Sequence, residues 1–249
     1  MRLDVALLPA RVDRDALPTS TALVIDVLRA STTMIAALGH GCAGVVPVGG
    51  PAEAQLRARA LGPGALTAGE RKGLMIEGFD LGNSPLEMTA ERVGGKTLVF
   101  TTSNGTEALL VSRAAAAVGV AALVNLSAAA AWAHGGGRDV SVVCAGERGD
   151  VSLEDTVCAG LLIDALVRHE EKATLTEAAR GALEKGRGYG KAVARLGQDS
   201  SWGRHLAAAG RAADLAACLQ LDTTTLVPVF GADGVVRAGD IDKVIAASR

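Results

Sequence analysis

Short runs of β-branched residues alternate along the chain with longer runs rich in alanine and leucine, a pattern typical of layered α/β proteins. The apolar runs predict strands over residues 22–28, 43–49, 95–102, 120–126 and 139–146. Each is followed by a helical pattern, over residues 32–41, 51–62, 105–117, 127–137 and 152–170. This alternation predicts a three-layer α/β/α fold, in which helices cover both faces of a largely parallel or mixed sheet.

The C-terminal part of the chain carries two further predictions. Residues 223–239 predict a strand that turns at Asp233–Gly234 and forms an antiparallel edge of the sheet. Residues 172–218 are helical in character but are interrupted by "GRGYG" and "GQDSSWG", which indicates two or three helices packed on the same domain. Because no repeat and no Pro/Ser-rich linker divides the chain, we expect a single α/β domain over residues 1–249.

Composition excludes several classes of protein. Hydrophobic residues make up 49% and charged residues 21% of the chain, as in soluble globular proteins. Aromatic residues are only 2% and the net charge is −2 without a basic block, so nucleic-acid binding is not expected. The four cysteines lack CxxC spacing, and we find neither a signal-peptide pattern nor a membrane-length apolar run. We therefore expect a cytoplasmic protein with reduced thiols, for which a homodimer is only a default expectation.

Polar residues cluster where predicted strands give way to helices. The segments are "DVLRASTT" (26–33), "TTSNGTEAL" (101–109) and "CAGERGDVSLED" (144–155), and a fourth, "GERKGLMIEGFDLGNSP" (69–85), predicts a structured loop. Taken singly, these residues could be helix caps or acidic first-turn residues. In open α/β sheets, however, such junctions line a crevice beyond the carboxyl ends of the strands, so we expect them to share one site.

Two other candidate motifs are set aside. "GHGCAG" (39–44) matches G-x-G-x-x-G, but it follows a helix and precedes a strand, the reverse of a dinucleotide-binding loop. Cys144 precedes "AGERG", yet cysteine phosphatases carry arginine six positions after the cysteine, where this chain has Asp150. We interpret Cys144 as a packed apolar residue.

The clustered side chains suit a phosphorylated ligand. Arg29, Arg71 and Arg148 offer forked donors for phosphate, sulfonate or carboxylate groups. Hard oxygen ligands come from Asp26, Glu70, Asp80, Glu154 and Asp155, whereas the four histidines are scattered and disfavour zinc. Carboxylates beside phosphate-binding groups indicate Mg²⁺ and a magnesium-assisted phosphoryl transfer.

The segments "IDVLRASTT", "GERKGLMIEGFDLGNSPLEM", "TTSNGTEAL" and "CAGERGDVSLEDTVCAG", in this order along residues 24–160, together resemble the 2-phosphosulfolactate phosphatase family. The resemblance implies a magnesium-dependent acid phosphatase with a three-layer α/β/α fold. Its reaction would convert 2-phospho-3-sulfolactate to sulfolactate and phosphate, a step of coenzyme M biosynthesis in methanogens. The site residues that the resemblance implies are Asp26, Arg29, Ser31, Thr32, Glu70, Arg71, Asn83, Ser84, Thr102, Asn104, Gly105, Thr106, Gly146, Arg148, Glu154 and Asp155.

We assign roles within this set as hypotheses. Asp26 is either the nucleophile or a magnesium ligand, with Arg29, Ser31 and Thr32 beside it at the catalytic centre. Glu70, Glu154 and Asp155 are further candidate metal ligands. We assign Arg71 and Arg148 to the two anionic ends of the substrate, which the other polar residues and glycines of the set help to bind. Another phosphorylated 2-hydroxy acid is an alternative substrate, and a non-catalytic phospho-ligand-binding protein is an alternative function.

Overall fold

Eleven strands form one mixed sheet in the computed structural model, which describes residues 1–239. The sheet order is β5-β4-β6-β3-β11-β10-β7-β2-β8-β1-β9. The strands are β1 (Arg2–Ala6), β2 (Thr21–Ile25), β3 (Gly44–Pro47), β4 (Ala65–Arg71), β5 (Leu74–Met75), β6 (Thr97–Thr101), β7 (Ala117–Ala121), β8 (Val140–Cys144), β9 (Thr174–Leu175), β10 (Pro228–Phe230) and β11 (Val236–Ala238).

Helices pack on both faces of this sheet. They are α1 (Ala30–Gly39), α2 (Pro51–Leu61), α3 (Ala90–Val93), α4 (Gly105–Ser112), α5 (Leu126–Gly135), α6 (Leu153–His169), α7 (Glu177–Tyr189), α8 (Leu196–Asp199), α9 (Ser201–Ala208) and α10 (Ala212–Cys218). All five residues of β2 are buried: Leu23 and Ile25 pack on the side of α5 and α6, and Ala22 and Val24 on the side of α1 and α4. The predicted α/β class with a mixed sheet is confirmed.

The predicted antiparallel edge near the C-terminus is wrong in its position. The hairpin of β10 and β11 lies in the middle of the sheet, between β7 and β3. Each outer side of the hairpin pairs through a single residue, Val229 with Gly119 and Val236 with Val45. Pro228 would suggest an edge strand, because proline has no N–H to donate to a neighbouring strand. It is tolerated inside the sheet because β10 pairs with β7 through the single residue Val229.

The two parallel halves of the sheet meet at the carboxyl ends of their strands. Four strands separate β6 from β2, so a flat sheet would hold them about 24 Å apart at the usual strand spacing. Gly105 is the first residue of α4, the helix that follows β6, and Asp26 directly follows β2. A Cβ placed on Gly105 would nevertheless lie 2.6 Å from Oδ2 of Asp26. The loop after β6 and the start of α4 therefore reach across the sheet to the end of β2, where α4 packs, and this brings the two polar junctions together.

Several element boundaries differ from the prediction. The strand predicted over residues 120–126 ends earlier, because Leu123–Asn125 form a 3-10 turn in which Asn125 Oδ1 accepts the Ala122 N–H. The loop predicted over residues 69–85 contains the end of β4 and all of β5, while β1 and β9 were not predicted. The helical segment after residue 172 contains α7 to α10, and "GHGCAG" lies between α1 and β3 as expected. No helix within residues 1–239 has the length and apolar character needed to cross a membrane.

Candidate active site

A cavity of about 410 Å³ lies where the carboxyl ends of β2, β4, β6 and β8 converge. The loops after these strands lead into α1, α4 and α6 or into the β4–β5 turn. Nine of the predicted site residues line the cavity: Asp26, Arg29, Glu70, Asn83, Asn104, Gly146, Arg148, Glu154 and Asp155. The other lining residues are Leu28, Lys72, Ser103, Glu147, Ser152 and Trp202. The expected shared site at one sheet edge is thus formed by the described residues.

Asp26 lies directly after the buried strand β2 and caps α1. Its Oδ1 accepts the Ala30 N–H at 3.1 Å, and its own N–H donates to Ser31 Oγ at 2.9 Å. Burial raises the pKa of the Asp26 carboxyl from 3.8 to about 7, and the charges of Glu70 and Glu154 raise it too, against the Ala30 hydrogen bond and the Arg29 charge. Asp26 is therefore a carboxyl group that changes protonation near neutral pH.

Asp155 links two of the junctions through backbone hydrogen bonds. Its Oδ1 accepts the Val27 N–H at 2.9 Å, and its Oδ2 accepts the Gly146 N–H at 3.2 Å. Burial, followed by the charges of Asp26 and Glu154, raises the pKa of Asp155 well above its ordinary value. This carboxylate holds the loop after β2 against the loop after β8.

Glu154, in the first turn of α6, is buried beside Asp155. Burial raises the pKa of the Glu154 carboxyl, and the Glu147 charge adds to this, while hydrogen bonds with Ser200 and Ser152 act in the opposite direction. The N-terminal end of the helix favours the ionised form. Glu154 therefore combines burial in the cavity wall with groups that stabilise its negative charge.

Glu70 fixes the β4–β5 turn to the loop after β6. Its Oε1 accepts the Ser103 N–H and its Oε2 accepts the Gly73 N–H, both at 2.7 Å. Both oxygens thus already serve backbone donors. This arrangement indicates that Glu70 shapes the cavity wall through the two loops that it joins.

Arg29 is 3% exposed and forms an ion pair with Asp214 of α10 through Nη1. Its Nη2 donates to the Gly73 carbonyl oxygen at 3.1 Å. Asp214 Oδ1 in turn accepts the Ser84 hydroxyl at 2.6 Å. Because guanidinium carries five N–H donors, Arg29 keeps donors for a ligand after these contacts are made.

Asn83 provides a buried polar atom that the protein leaves without a partner. The residue is 5% exposed and lines the cavity, and its Oδ1 accepts no hydrogen bond from any residue within 1–239. Buried polar oxygens are nearly always satisfied, so an unsatisfied one in a cavity wall points to a ligand, an ion or a water as its partner.

Arg148 lies in the loop after β8 and is fixed at its backbone and its side chain. Its N–H donates to Asn104 Oδ1 at 3.3 Å, which joins the loops after β8 and β6. Its guanidinium carbon lies 5.4 Å from the ring centre of Trp202. Trp202 also stacks on His205, with the ring centres 4.5 Å apart.

The remaining predicted site residues lie behind the cavity wall. Arg71 donates to the Glu70 carbonyl oxygen and to Thr101 Oγ1, at 2.7 and 3.0 Å, and so does not line the cavity. Thr102 and Thr106 hydrogen-bond each other across the start of α4. The others that do not line it are Ser31, whose Oγ accepts the Asp26 N–H, Thr32, which donates to the Val27 carbonyl, Ser84, which donates to Asp214, and Gly105, which packs on Asp26.

The structure corrects the prediction that Asp80 is an oxygen ligand of the site and agrees with the interpretation of Cys144. Asp80 Oδ2 accepts both the N–H and the hydroxyl of Thr67 at 2.8 Å and does not line the cavity. Cys144 is completely buried, and burial raises the pKa of its thiol well above 9.0. A thiol in this state is not a nucleophile near neutral pH, which supports its interpretation as a packed residue.

Sequence reasoning missed the contribution of the C-terminal helices. Trp202 lines the cavity from α9, and Asp214 holds Arg29 from α10. Each residue is unusual in its surroundings: Trp202 is one of the two tryptophans in the sequence, and Asp214 is the single charged residue in the helical segment "AADLAAC". Neither signal says which distant residue it contacts.

Comparisons with known proteins agree with the resemblance seen in the sequence. A family model described as 2-phosphosulpholactate phosphatase matches residues 6–233. A protein of Symbiobacterium thermophilum named "Probable 2-phosphosulfolactate phosphatase" is 41% identical over 217 residues, which cover 86% of this chain and 93% of that protein. A protein of the same name from Deinococcus radiodurans is 40% identical over 241 residues, which cover 96% of this chain and 97% of that protein. Another, from Synechococcus sp., is 38% identical over 247 residues, which cover 95% of this chain and 99% of that protein.

Proposed function

The chain belongs to the 2-phosphosulpholactate phosphatase family, and from this premise we propose that its cavity hydrolyses 2-phospho-3-sulfolactate to sulfolactate and phosphate. Family membership makes the protein a phosphoric monoester hydrolase. The observation that supports this cavity as the place of reaction is Asp26, a carboxyl group with a pKa of about 7 beside the buried Arg29. Such a pair combines a group that reacts near neutral pH with a donor for phosphoryl oxygens.

Magnesium dependence is part of this proposal, and the residues present fit the ion. Within residues 1–239 no group of three or more His, Cys, Asp or Glu side chains is arranged to hold a metal on its own. Mg²⁺ does not need one, because it commonly uses one or two carboxylates together with waters and substrate oxygens. Asp26 is the best candidate, with Asn83 Oδ1, which accepts no hydrogen bond within residues 1–239, as a second oxygen; Glu154 is then left to act on the water. Glu70 and Asp155 are weaker candidates, since their oxygens already accept backbone N–H groups.

When bound, the ion would neutralise charge on the phosphoryl oxygens. The side chains of the protein supply the remaining functions. Arg29 donates its free N–H groups to the phosphate, which lies at the N-terminal ends of α1, α4 and α6, where helices favour anions. A water attacks phosphorus, the bond to the ester oxygen breaks, and that oxygen leaves with the electron pair and takes up the proton that the water has released through Glu154, which gives the alcohol. Glu154, whose pKa is raised by burial, accepts the proton of the water.

Phosphate release from a small panel of phosphorylated 2-hydroxy acids tests this function. Purified protein is assayed with 2-phosphosulfolactate, 2-phospholactate and 2-phosphoglycolate, with Mg²⁺ and with a chelator. We expect 2-phosphosulfolactate to have the highest kcat/KM and the chelator to abolish turnover. A preference for another phosphorylated acid would replace the substrate, and full activity in the chelator would remove magnesium. Coenzyme M biosynthesis and a cytoplasmic location stay predictions from the resemblance.

A further inference from the structure

Two tight turns of similar construction border the cavity. One joins β4 to β5 and has Lys72 and Gly73 at its centre, with φ of 56° and 83°. The other runs from Glu147 to Asp150, closed by two backbone hydrogen bonds of 2.8 Å, and has Arg148 and Gly149 at its centre, with φ of 53° and 87°. Two central residues with positive φ define a type I′ turn.

Both turns use a basic residue where the backbone disfavours one. The first central position of a type I′ turn is usually Asn, Asp or Gly, because other side chains clash with the backbone at positive φ. Among residues 1–239, three residues other than glycine have positive φ: Lys72, Arg148 and Asp222. The two basic ones both line the same cavity. Unfavourable backbone conformations that persist at a cavity are a mark of functional constraint.

The two turns converge on one aromatic side chain, Trp202. The Arg148 guanidinium lies over its ring at 5.4 Å, and a Cβ placed on Gly73 would lie 3.4 Å from the edge of the same ring. Trp202 itself lines the cavity, and its ring stacks on His205. A cation from each turn and an indole between the turns therefore form one wall, to which we refer as the Lys72–Arg148 clamp.

The clamp is tied to the inner part of the cavity. Arg29 donates to the Gly73 carbonyl and Glu70 accepts the Gly73 N–H, which fixes the first turn from within. The second turn is fixed by the hydrogen bond from the Arg148 N–H to Asn104. Glu147, which directly precedes Arg148 in the sequence, accepts the Ser201 hydroxyl at 2.6 Å and so has a hydrogen-bond partner on α9. The clamp and the Asp26 end of the cavity are thus two regions of one rigid site.

We propose that Lys72 and Arg148, with Trp202 as the wall between their turns, bind the sulfonate of the substrate while the phosphate lies at the Asp26 end. This inference rests on the proposed function, because it assumes a substrate that carries both groups. A carboxylate has two oxygens in one plane and is matched by a single guanidinium fork. A sulfonate spreads three oxygens around sulfur, so two cations on separate turns can contact it together. It also stays ionised over the whole physiological pH range, so it always presents charge to the two cations.

The test compares two substrates that differ at the sulfonate. 2-Phospholactate keeps the phosphate and the carboxylate of 2-phosphosulfolactate but lacks the sulfonate. The variants are Lys72→Asn and Arg148→Asn, because asparagine tolerates positive φ and so removes the charge without breaking the turn. Lys72→Arg restores the charge, and Lys185→Gln, on the exposed face of α7, is the matched control for the loss of one lysine.

For each asparagine variant we expect the ratio of kcat/KM for 2-phosphosulfolactate over 2-phospholactate to fall about tenfold, mainly through KM. Lys72→Arg should recover most of that ratio, and Lys185→Gln should keep the wild-type ratio. Equal losses on both substrates, or an unchanged ratio in both asparagine variants, would overturn the proposal.

A second readout does not depend on turnover. Trp132 is buried in the core, so the fluorescence of Trp202 reports on the cavity when sulfolactate is added. We expect wild-type protein to bind sulfolactate about tenfold more tightly than Lys72→Asn does. Equal affinities would refute the clamp. If wild-type protein releases no phosphate from 2-phosphosulfolactate, the proposed function fails, and this binding comparison still decides whether the clamp recognises a sulfonate.

Discussion

The substitution Asp26→Asn should abolish turnover and, at neutral pH without magnesium, make the protein more stable. Asp26 is 8% exposed, and burial together with the charges of Glu70 and Glu154 raises its pKa to about 7. Above that pH the folded protein must hold an ionised carboxylate in a cavity that disfavours it. Asparagine keeps the shape of the side chain and removes this cost, along with the charge that the reaction needs.

The sign and size of the effect follow from proton linkage. The pKa of Asp26 is 3.8 without the protein environment and about 7 in the fold, so between these pH values the folded state retains a proton that the unfolded state has released. Stability contributed by this group is therefore present below about pH 4 and is lost as the pH rises to about 7. At about 1.4 kcal/mol for each pH unit, the loss is at most about 4 kcal/mol, since neighbouring carboxylates share the proton.

Urea unfolding of wild-type protein and Asp26→Asn at pH 4 and pH 8, both with a chelator, measures this effect. We expect the variant to gain up to about 4 kcal/mol relative to wild type between the two pH values. Asp15→Asn, at an exposed aspartate, is the matched control for the loss of one carboxylate. Adding Mg²⁺ at pH 8 should then stabilise wild-type protein more than the variant, because the ion binds the folded state through Asp26.

A stability difference that does not change with pH, or that reverses, would refute the description of Asp26 as a buried, destabilised carboxylate. Near-normal turnover by Asp26→Asn would remove the residue from the reacting centre. The role of Asp26 is decided by acid quenching during turnover of phosphate-labelled substrate. If label remains on wild-type protein, Asp26 is the nucleophile and forms an acyl phosphate; if none remains, the proposed role as a magnesium ligand stands.

Three further predictions concern the surroundings of Asp26. Asp214→Ala should lower the free energy of unfolding, measured in urea, by about 3–5 kcal/mol, because it leaves Arg29 buried without its ion partner; a smaller loss than 1 kcal/mol would contradict this. Gly105→Ala should reduce turnover sharply, since its Cβ would lie 2.6 Å from an Asp26 oxygen, whereas Gly39→Ala, with no atom within 4 Å, is a control that should keep turnover. The four buried cysteines should react slowly with thiol reagents at pH 8 in native protein, and fast labelling with loss of activity would reopen a thiol mechanism.

The part of the site that sequence reasoning predicted is the part that local rules determine. Asp26 was found because it directly follows a strand that reads as buried, and Glu154 because it lies in the first turn of the helix after another such strand; these junctions share one edge of a parallel sheet. The reasoning needed only the order of elements along the chain. Arg71 was selected from a segment predicted as a loop; it lies instead at the end of β4 and turns its guanidinium toward Thr101.

The rest depends on contacts between residues far apart in the sequence. Asp214 meets Arg29 across 185 positions of the chain, and the position of the β10–β11 hairpin in the sheet depends on pairing with β7 and β3. Helical periodicity describes α9 and α10 as amphipathic or Ala-rich segments, which says that they pack but not where. The approach of Gly105 to Asp26 likewise depends on how α4 packs on β2 and has no local signature.

The four buried carboxylates of the cavity illustrate why residue type alone does not give a role. Glu70 and Asp155 use both oxygens to accept backbone N–H groups, and these hydrogen bonds hold the loops together. Asp26 accepts one backbone N–H through Oδ1 and Glu154 hydrogen-bonds Ser200 and Ser152, and burial raises the pKa of both carboxyls, as it does that of Asp155. Glu70 and Asp155 stabilise the walls of the cavity through their hydrogen bonds, while ionisation of Asp26, Glu154 or Asp155 costs stability. Loss of activity on substitution is therefore expected at all four positions, and the accompanying change in stability is what separates a positioning residue from one that acts on the substrate.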